Sequence, residues 1–212
     1  NEMWSVVDCE PGAYLYCGLS KDTSKEEIEQ RIKNNTITDI LNKIEVKPGD
    51  CVFVKAGTIH AIGAGILICE IQQNSNCTYR MYDYDRKDKF GNKRELHIKK
   101  ALDVVNVKKY IPFRKKESEQ DIGDINKVKS DTLVSCKYFE CFKYNVSGEC
   151  NIKGDSASFI SIIIISGSGE IKVDSLKNSE AEMFKAGDSF FVCAGQKNIK
   201  IVGTAEFIVT KL

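Results

Sequence analysis

Residues 49–63 read Gly49-Asp-Cys-Val-Phe-Val-Lys-Ala-Gly-Thr-Ile-His-Ala-Ile-Gly63. Cys51 to Val54 has the composition of a short buried strand, Lys55-Ala-Gly-Thr58 supplies a turn, and His60, one of only two histidines in the chain, opens the returning strand. A second copy of this frame lies near the C-terminus. Phe184-Lys-Ala-Gly-Asp-Ser-Phe-Phe-Val-Cys-Ala-Gly195 repeats Val46-Lys-Pro-Gly-Asp-Cys-Val-Phe-Val-Lys-Ala-Gly57 almost position for position, and Asn198 falls where His60 stood. The repeat predicts two units of related design, only the first of which keeps a histidine at the turn.

Composition limits what that histidine can serve. A chain of 212 residues with 42% hydrophobic side chains can bury a full core, as one large domain or two small ones. The 31 basic and 30 acidic residues are interspersed, so no basic footprint points to nucleic acid. The longest apolar run, Phe159 to Ile165, is too short to cross a bilayer, and the N-terminus carries no charged segment followed by an apolar core, which argues against a membrane partner. Nine cysteines are scattered without a Cys-x-x-Cys pair, and Cys51, Cys69 and Cys193 sit in apolar runs. This usage fits free thiols in a reducing cytoplasm rather than a disulfide framework or a zinc ribbon. Oligomeric state has no signal in the sequence.

Met3 to Leu19 reads as a β-hairpin turning at Glu10-Pro11-Gly12-Ala13, where proline presets φ and glycine accepts the positive φ of a type II turn. Glu2, at the mouth of its first strand, taken alone reads as a solvated carboxylate. From Ser20 to Val46 the period changes to about 3.6. Thr23-Ser-Lys-Glu26 has capping-box spacing, Ile28 and Ile32 share a face, and Ile37, Leu41 and Ile44 continue on a second short helix after Asn34-Asn35. This is a small helical insertion without chemistry of its own.

The densest polar chemistry follows His60. Ile66-Leu-Ile-Cys-Glu-Ile71 reads as a buried strand interrupted by Glu70, an ionisable group whose burial is costly unless it is paired or ligated. Gln72, Gln73, Asn74, Ser75 and Asn76 give amides and a hydroxyl suited to sugar hydroxyls, and Arg80 follows in an alternation of aromatic and charged residues up to Arg86. Arg94 to Val105 reads as a short amphipathic helix carrying His97. Asn106 to Asp131 is polar and aperiodic, and alternation returns from Leu133 to Leu212, with a buried run from Phe159 ending at Gly167-Ser-Gly169.

The spacing of Gly49, Lys55, Gly57 and His60 resembles the second motif of the cupins, with lysine in place of the motif's proline. At the mouth of such a β-barrel alternate side chains point inward, so a neutral imidazole can meet a metal together with carboxylates of neighbouring strands. The expected fold is mainly β, a double cupin of two β-barrel or jelly-roll units with a helical insertion over 20–46. The expected domains are a catalytic cupin over 1–105, incomplete at its N-terminus, a linker over 106–131 and a cupin without metal over 132–212.

Ala56-Gly-Thr-Ile-His-Ala-Ile-Gly63, the apolar strand into Glu70-Ile-Gln-Gln-Asn-Ser-Asn76, then Thr78-Tyr-Arg-Met-Tyr-Asp-Tyr-Asp-Arg86 and Arg94-Glu-Leu-His97 together resemble the short bacterial form of type I mannose-6-phosphate isomerase. The resemblance implies zinc-dependent interconversion of mannose 6-phosphate and fructose 6-phosphate through an enediol, with a small sugar phosphate as partner. It implies His60 and Glu2 as metal ligands, reversing the solvated reading of Glu2. Glu70 and Arg80 take catalytic roles, and Arg86, Thr58 and Gln72 contact substrate. The family's Gln-x-His ligands and the lysine two residues before its glutamate ligand have no counterpart here. The remaining ligands of the one Zn2+ are therefore expected from sequence upstream of Asn1, with the chain matching the later two-thirds of the enzyme. The alternative is a non-catalytic bicupin that binds sugar or serves as scaffold.

Overall fold

The computed structural model describes residues 1–75, 77–111, 127–174 and 180–212, and the chain divides into two compact units, Asn1–Phe113 and Arg114–Leu212. Asn76 and residues 112–126 of the expected linker lie outside the described residues. None of the nine cysteines is joined in a disulfide.

In the first unit, β1 (Glu2–Cys9) is hydrogen-bonded on one side to β4 (Cys51–Val54) and on the other to β6 (Ile66–Gln72). A second sheet places β2 (Tyr14–Leu19) between β3 (Leu41–Glu45) and β5 (His60–Ile62). No ladder joins the two among the described residues, so the unit, mainly β as expected, is a sandwich of open sheets rather than a closed barrel. Its core takes Trp4, Val6, Val52 and Val54 from one sheet and Leu15 and Cys17 from the other.

Two expected hairpins are corners instead. The turn at Glu10 forms, with Ala13 N–H donating to the Glu10 carbonyl at 3.1 Å and Gly12 at φ 76°, but β1 and β2 enter different sheets. The featured turn also forms, with Thr58 N–H donating to the Lys55 carbonyl at 3.0 Å, and it carries the chain from β4 in one sheet to β5 in the other. Each turn is local, whereas the choice of partner strand is made by burial of the two inner faces.

The insertion holds one α-helix, α1 (Lys25–Lys33), and a 3-10 turn over Ile37–Ile40. Ile28 and Ile32 pack with Leu19, Ile37 and Ile40. Leu41 and Ile44, expected on a helix, lie on β3, because this short segment finds the edge of β2 to pair with. The capping frame is one residue later than Thr23-Glu26: Ser24 Oγ accepts the Glu27 amide at 3.1 Å, and Thr23 instead donates to the Glu27 carboxylate at 2.6 Å. Lys21 and Arg31 reach the same carboxylate at 3.0 and 2.9 Å. Helix α2 (Ile98–Val104) is shorter than the expected 94–105.

The second unit is one six-stranded sheet in which β9 (Ile160–Val173) and β8 (Glu140–Lys153) flank β12 (Asn198–Lys211). Outside these, β7 (Lys127–Ser135) pairs with β8, while β10 (Glu182–Lys185) and β11 (Ser189–Val192) pair with successive parts of β9. Lys127 to Asp131, expected in the linker, belong to β7 because β8 supplies them with partners. Strand β9 does not end at Gly167-Ser-Gly169; it runs through them in register with β12, the register shift falling earlier, between Ile164 and Ser166. Gly148, Gly203 and Gly169 form one row across β8, β12 and β9. A Cβ on Gly203, at φ 149°, would stand 2.4 Å from the Ser168 carbonyl oxygen. Glycine therefore continues the strand where any side chain would stop it.

The repeated frame folds identically in both units. Lys47 N–H donates to the Asp50 carboxylate at 2.9 Å and Asp50 N–H to the Lys47 carbonyl at 3.1 Å, with Gly49 at φ 91°. In the second unit Lys185 N–H donates to Asp188 at 2.8 Å and Asp188 N–H to the Lys185 carbonyl at 3.1 Å, with Gly187 at φ 90°.

Two expectations follow. Gly203→Ala should destabilise the second unit by roughly 1–3 kcal/mol, the range for forced backbone strain, read by denaturant unfolding; an unchanged midpoint would contradict the crowding at the glycine row. Glu27, hydrogen-bonded foremost by Thr23, is held at about 2 against an ordinary 4.5. Its stabilisation is fully present above about pH 4.5 and drains as pH falls towards about 2. Glu27→Gln should flatten the thermal midpoint over that window, and an unaltered slope would count against the three-donor clasp.

Candidate active site

The register of β1 builds the site. Glu2 lies opposite Val54 and Gln72, Trp4 opposite Val52 and Glu70, and Val6 opposite Ile68. Alternate residues share a face, so each of these rows projects from one side of the sheet. From Val6 to Glu2 that face changes from apolar core to carboxylate. In the facing sheet His60, opposite Cys17, opens β5 at the corner turn. The Trp4 and His60 rings meet edge-on, with centroids 5.3 Å apart and planes at 73°.

His60 Nδ1 lies 2.8 Å from the Thr58 carbonyl oxygen. A carbonyl only accepts, so Nδ1 donates the hydrogen, and in the neutral ring Nε2 carries the free lone pair. Nε2 faces Glu2 Oε2 at 3.7 Å. A backbone carbonyl that fixes tautomer and ring orientation is the usual support of a metal-binding imidazole.

Glu70 is exposed, correcting the expectation of a buried strand carboxylate: it stands near the open end of β6, past the apolar rows. Partial shielding from water and the neighbouring Glu2 charge still push its pKa up, while the Trp4 indole and His60 pull it down. A cavity of about 600 Å³ is lined by Glu2, Thr58, His60, Gln72, Arg80 and Arg86 among others. Glu70 is one row behind it.

The irregular segment between β6 and α2 carries the cations. Arg80 is pinned through its backbone: His97 N–H donates to the Arg80 carbonyl at 2.6 Å, and the Arg80 amide donates to His97 Nδ1 at 3.3 Å. The Arg80 guanidinium makes no ion pair or hydrogen bond among the described residues. Arg86 is engaged, donating to Asp83 Oδ1 at 2.6 Å. Arg94 clasps the same carboxylate, Nε donating to Oδ2 at 2.8 Å and the terminal nitrogen to Oδ1. Asp83 is buried, and the two guanidinium groups, Arg94 foremost, hold it well below the usual carboxylate range. Between them Tyr84 and Asp85 have φ of 56° and 53°, and Arg86 N–H donates to the Asp83 carbonyl at 3.0 Å. This is a turn with both central residues left-handed, a conformation that side-chain-bearing residues adopt only under constraint.

Sequence reading gives Asp83 and Arg94 no role, although both lie in segments that resemble the isomerases, and it takes His97 as a plain helix residue. His97 stands instead at the N-cap of α2.

As a zinc site the arrangement is partial. The His60 nitrogen and Glu2 oxygen suit zinc chemically, but protein zinc sites use three or four donors. Among the described residues no group of three or more His, Cys, Asp or Glu is placed to hold a metal.

Residues 129–212 match the family model described as mannose-6-phosphate isomerase, cupin domain. Mannose-6-phosphate isomerase ManA of Bacillus subtilis is 39% identical over all 212 residues, which cover 64% of that protein. Mannose-6-phosphate isomerase of Streptococcus mutans is 34% identical over 210 residues, 99% of this chain and 63% of the relative. The crystal structure of mannose 6-phosphate isomerase from Bacillus subtilis superposes with a TM-score of 0.86 at 33% identity, covering 100% of this chain and 64% of that one. The apo enzyme from Salmonella typhimurium, at 12% identity and a TM-score of 0.68, shares the fold over 99% of this chain and 65% of its own. The chain thus spans a little under two thirds of the curated relatives it matches.

Asp83→Asn removes the charge that both guanidinium groups clasp. Amide hydrogen exchange across residues 82–94 is expected to accelerate while that of β1 stays unchanged; unaltered exchange in the loop would show that the clasp does not hold the strained turn.

Proposed function

We propose that the first unit of this chain, which is 39% identical to mannose-6-phosphate isomerase ManA of Bacillus subtilis over 64% of that protein, serves the interconversion of mannose 6-phosphate and fructose 6-phosphate. The observation that carries the reading is convergence: Glu2, His60 with its fixed tautomer and the unpaired Arg80 line one cavity. The second unit, whose copy of the turn leads to Asn198 in place of histidine, is read as non-catalytic scaffold. Nine cysteines without a disulfide fit a cytoplasmic setting.

The proposed chemistry moves a proton between adjacent carbons. A carboxylate removes the proton from C2 of the open-chain aldose, and the C–H electron pair becomes the C1=C2 bond of an enediol as the C1=O π pair moves onto O1, which takes up a proton; the O2 proton then leaves, C2=O forms, and the carboxyl group returns its proton to C1. Glu70 is the proposed base, since shielding and Glu2 raise its affinity for a proton. Arg80, whose guanidinium pairs with no anion among the described residues, is the proposed partner of the oxygen on which negative charge develops. Gln72 and Thr58 line the cavity and supply polar groups for sugar hydroxyls. Arg86 is proposed for the phosphate through the donors that Asp83 leaves open, Nε donating to the Asp83 carbonyl at 3.3 Å and one terminal nitrogen to its carboxylate at 2.6 Å. His60 and Glu2 would give a zinc ion two of its ligands, too few to route a step through it.

In a preparation with measurable turnover, Arg80→Ala should lower kcat by about 10²–10³-fold, the cost of removing one donor to a developing oxyanion. Glu70→Gln should abolish exchange of solvent deuterium into the sugar. Sugar-phosphate binding without any such exchange in the unaltered protein would favour the binding-protein alternative, and near-full turnover of Glu70→Gln would require a different base. Calorimetric titration of the 212-residue chain with Zn2+ should show weak binding that His60→Ala removes; tight binding, or binding indifferent to His60, would contradict the two-donor reading.

A further inference from the structure

Among the described residues, a single buried side-chain nitrogen or oxygen lacks a hydrogen-bond partner: the indole Nε1 of Trp4. Trp4 is 2% exposed, so bulk water does not satisfy the N–H, and an unpaired buried donor is costly. Its neighbours belong to the candidate site. Glu70 stands directly opposite on β6, Glu2 lies one row further out on the same face of β1, and the His60 ring is edge-on to the indole.

We infer that Trp4 is a positioning residue of this site, its indole N–H being the donor that orients the Glu70 carboxylate while its ring holds the His60 imidazole. The donor is rigid, since the indole packs with Val6, Leu15, Cys17, Val52 and Val54. The acceptor is an exposed side chain that closes no ion pair among the described residues, so rotation of Glu70 about its own torsions completes the bond. Without a fixed donor, repulsion from Glu2 and the pull of solvent turn the Glu70 carboxylate away from the cavity. With one, it is held beside the row that lines the cavity. The electrostatics run the same way: the indole favours the charged carboxylate, against shielding and the Glu2 charge. This inference rests on the isomerase reading for the use made of Glu70; the contact itself does not.

Trp4 is the one tryptophan in the chain, so the full 212-residue protein gives one indole signal in a 1H–15N correlation spectrum. At neutral pH, Glu70→Gln is expected to move that signal upfield, as a bond to a charged acceptor is replaced by one to a neutral amide. Leu67→Gln, at an exposed position on the other face of β6, is expected to leave it in place. An indole signal unmoved by Glu70→Gln, or moved as far by Leu67→Gln, overturns the inference. No turnover enters the measurement, so failure of the isomerase reading would leave this result standing.

Discussion

A strand hydrogen-bonded along both edges cannot slip without breaking two ladders, and β1 is such a strand, held between β4 and β6. Because side chains alternate with a period of two, a slip of one residue would trade Glu2, Trp4 and Val6 for Met3 and Ser5 on the inner face. Every feature of the site presupposes this register. It sets Glu2 beside Gln72, sets Trp4 beside Glu70, and presents the indole edge-on to His60 from the facing sheet. The carboxylates stand at the open end of a face whose deeper rows are apolar, so the rigidity of the core reaches the chemistry within two residues.

The cationic side of the cavity is held differently. Arg80 and Arg86 lie on an irregular segment, where no ladder fixes them, and local clasps take its place. His97 ties the backbone of Arg80 by two hydrogen bonds, and the buried Asp83 gathers Arg86 and Arg94 across the left-handed pair Tyr84-Asp85. The strain of that pair is tolerated because both guanidinium groups would lose their partner if the turn relaxed. The site thus combines a wall set by sheet register with a wall set by ion pairs.

What the sequence made legible was local. The Lys-x-Gly-Asp turn repeats because its bonds join residues three apart, so both copies fold alike wherever they sit. The type II turn at Pro11 and the helix around Ile28 and Ile32 are local in the same sense. Sheet membership was not legible: Glu10–Ala13 and Lys55–Thr58 look like hairpin turns, and only burial of two facing surfaces sends the flanking strands into different sheets. Leu41 and Ile44, three apart, satisfy helical spacing but not strand alternation, and they join β3 through pairing with β2 that includes a register shift. Glu70 reads as buried because of its apolar neighbours, yet its exposure depends on how far along the strand the sandwich extends. Asp83 finds Arg94 eleven positions away, at no spacing a period could reveal.

The place of β12 in its sheet bears on how the second unit assembles during synthesis. Its central strand follows both of its partners in the chain, β8 and β9, and pairs with each over nearly its whole length. In the first unit the central strand β1 precedes its partners. As the polypeptide emerges, each strand of the first unit can add to a template already made. The long strands of the second have no centre to dock on until β12 appears, and their apolar faces must wait in the open. Such non-local pairing folds slowly and leaves unpaired edges accessible to other chains. The two units, alike in their turns, differ in how they can assemble because one central strand precedes its partners and the other follows them.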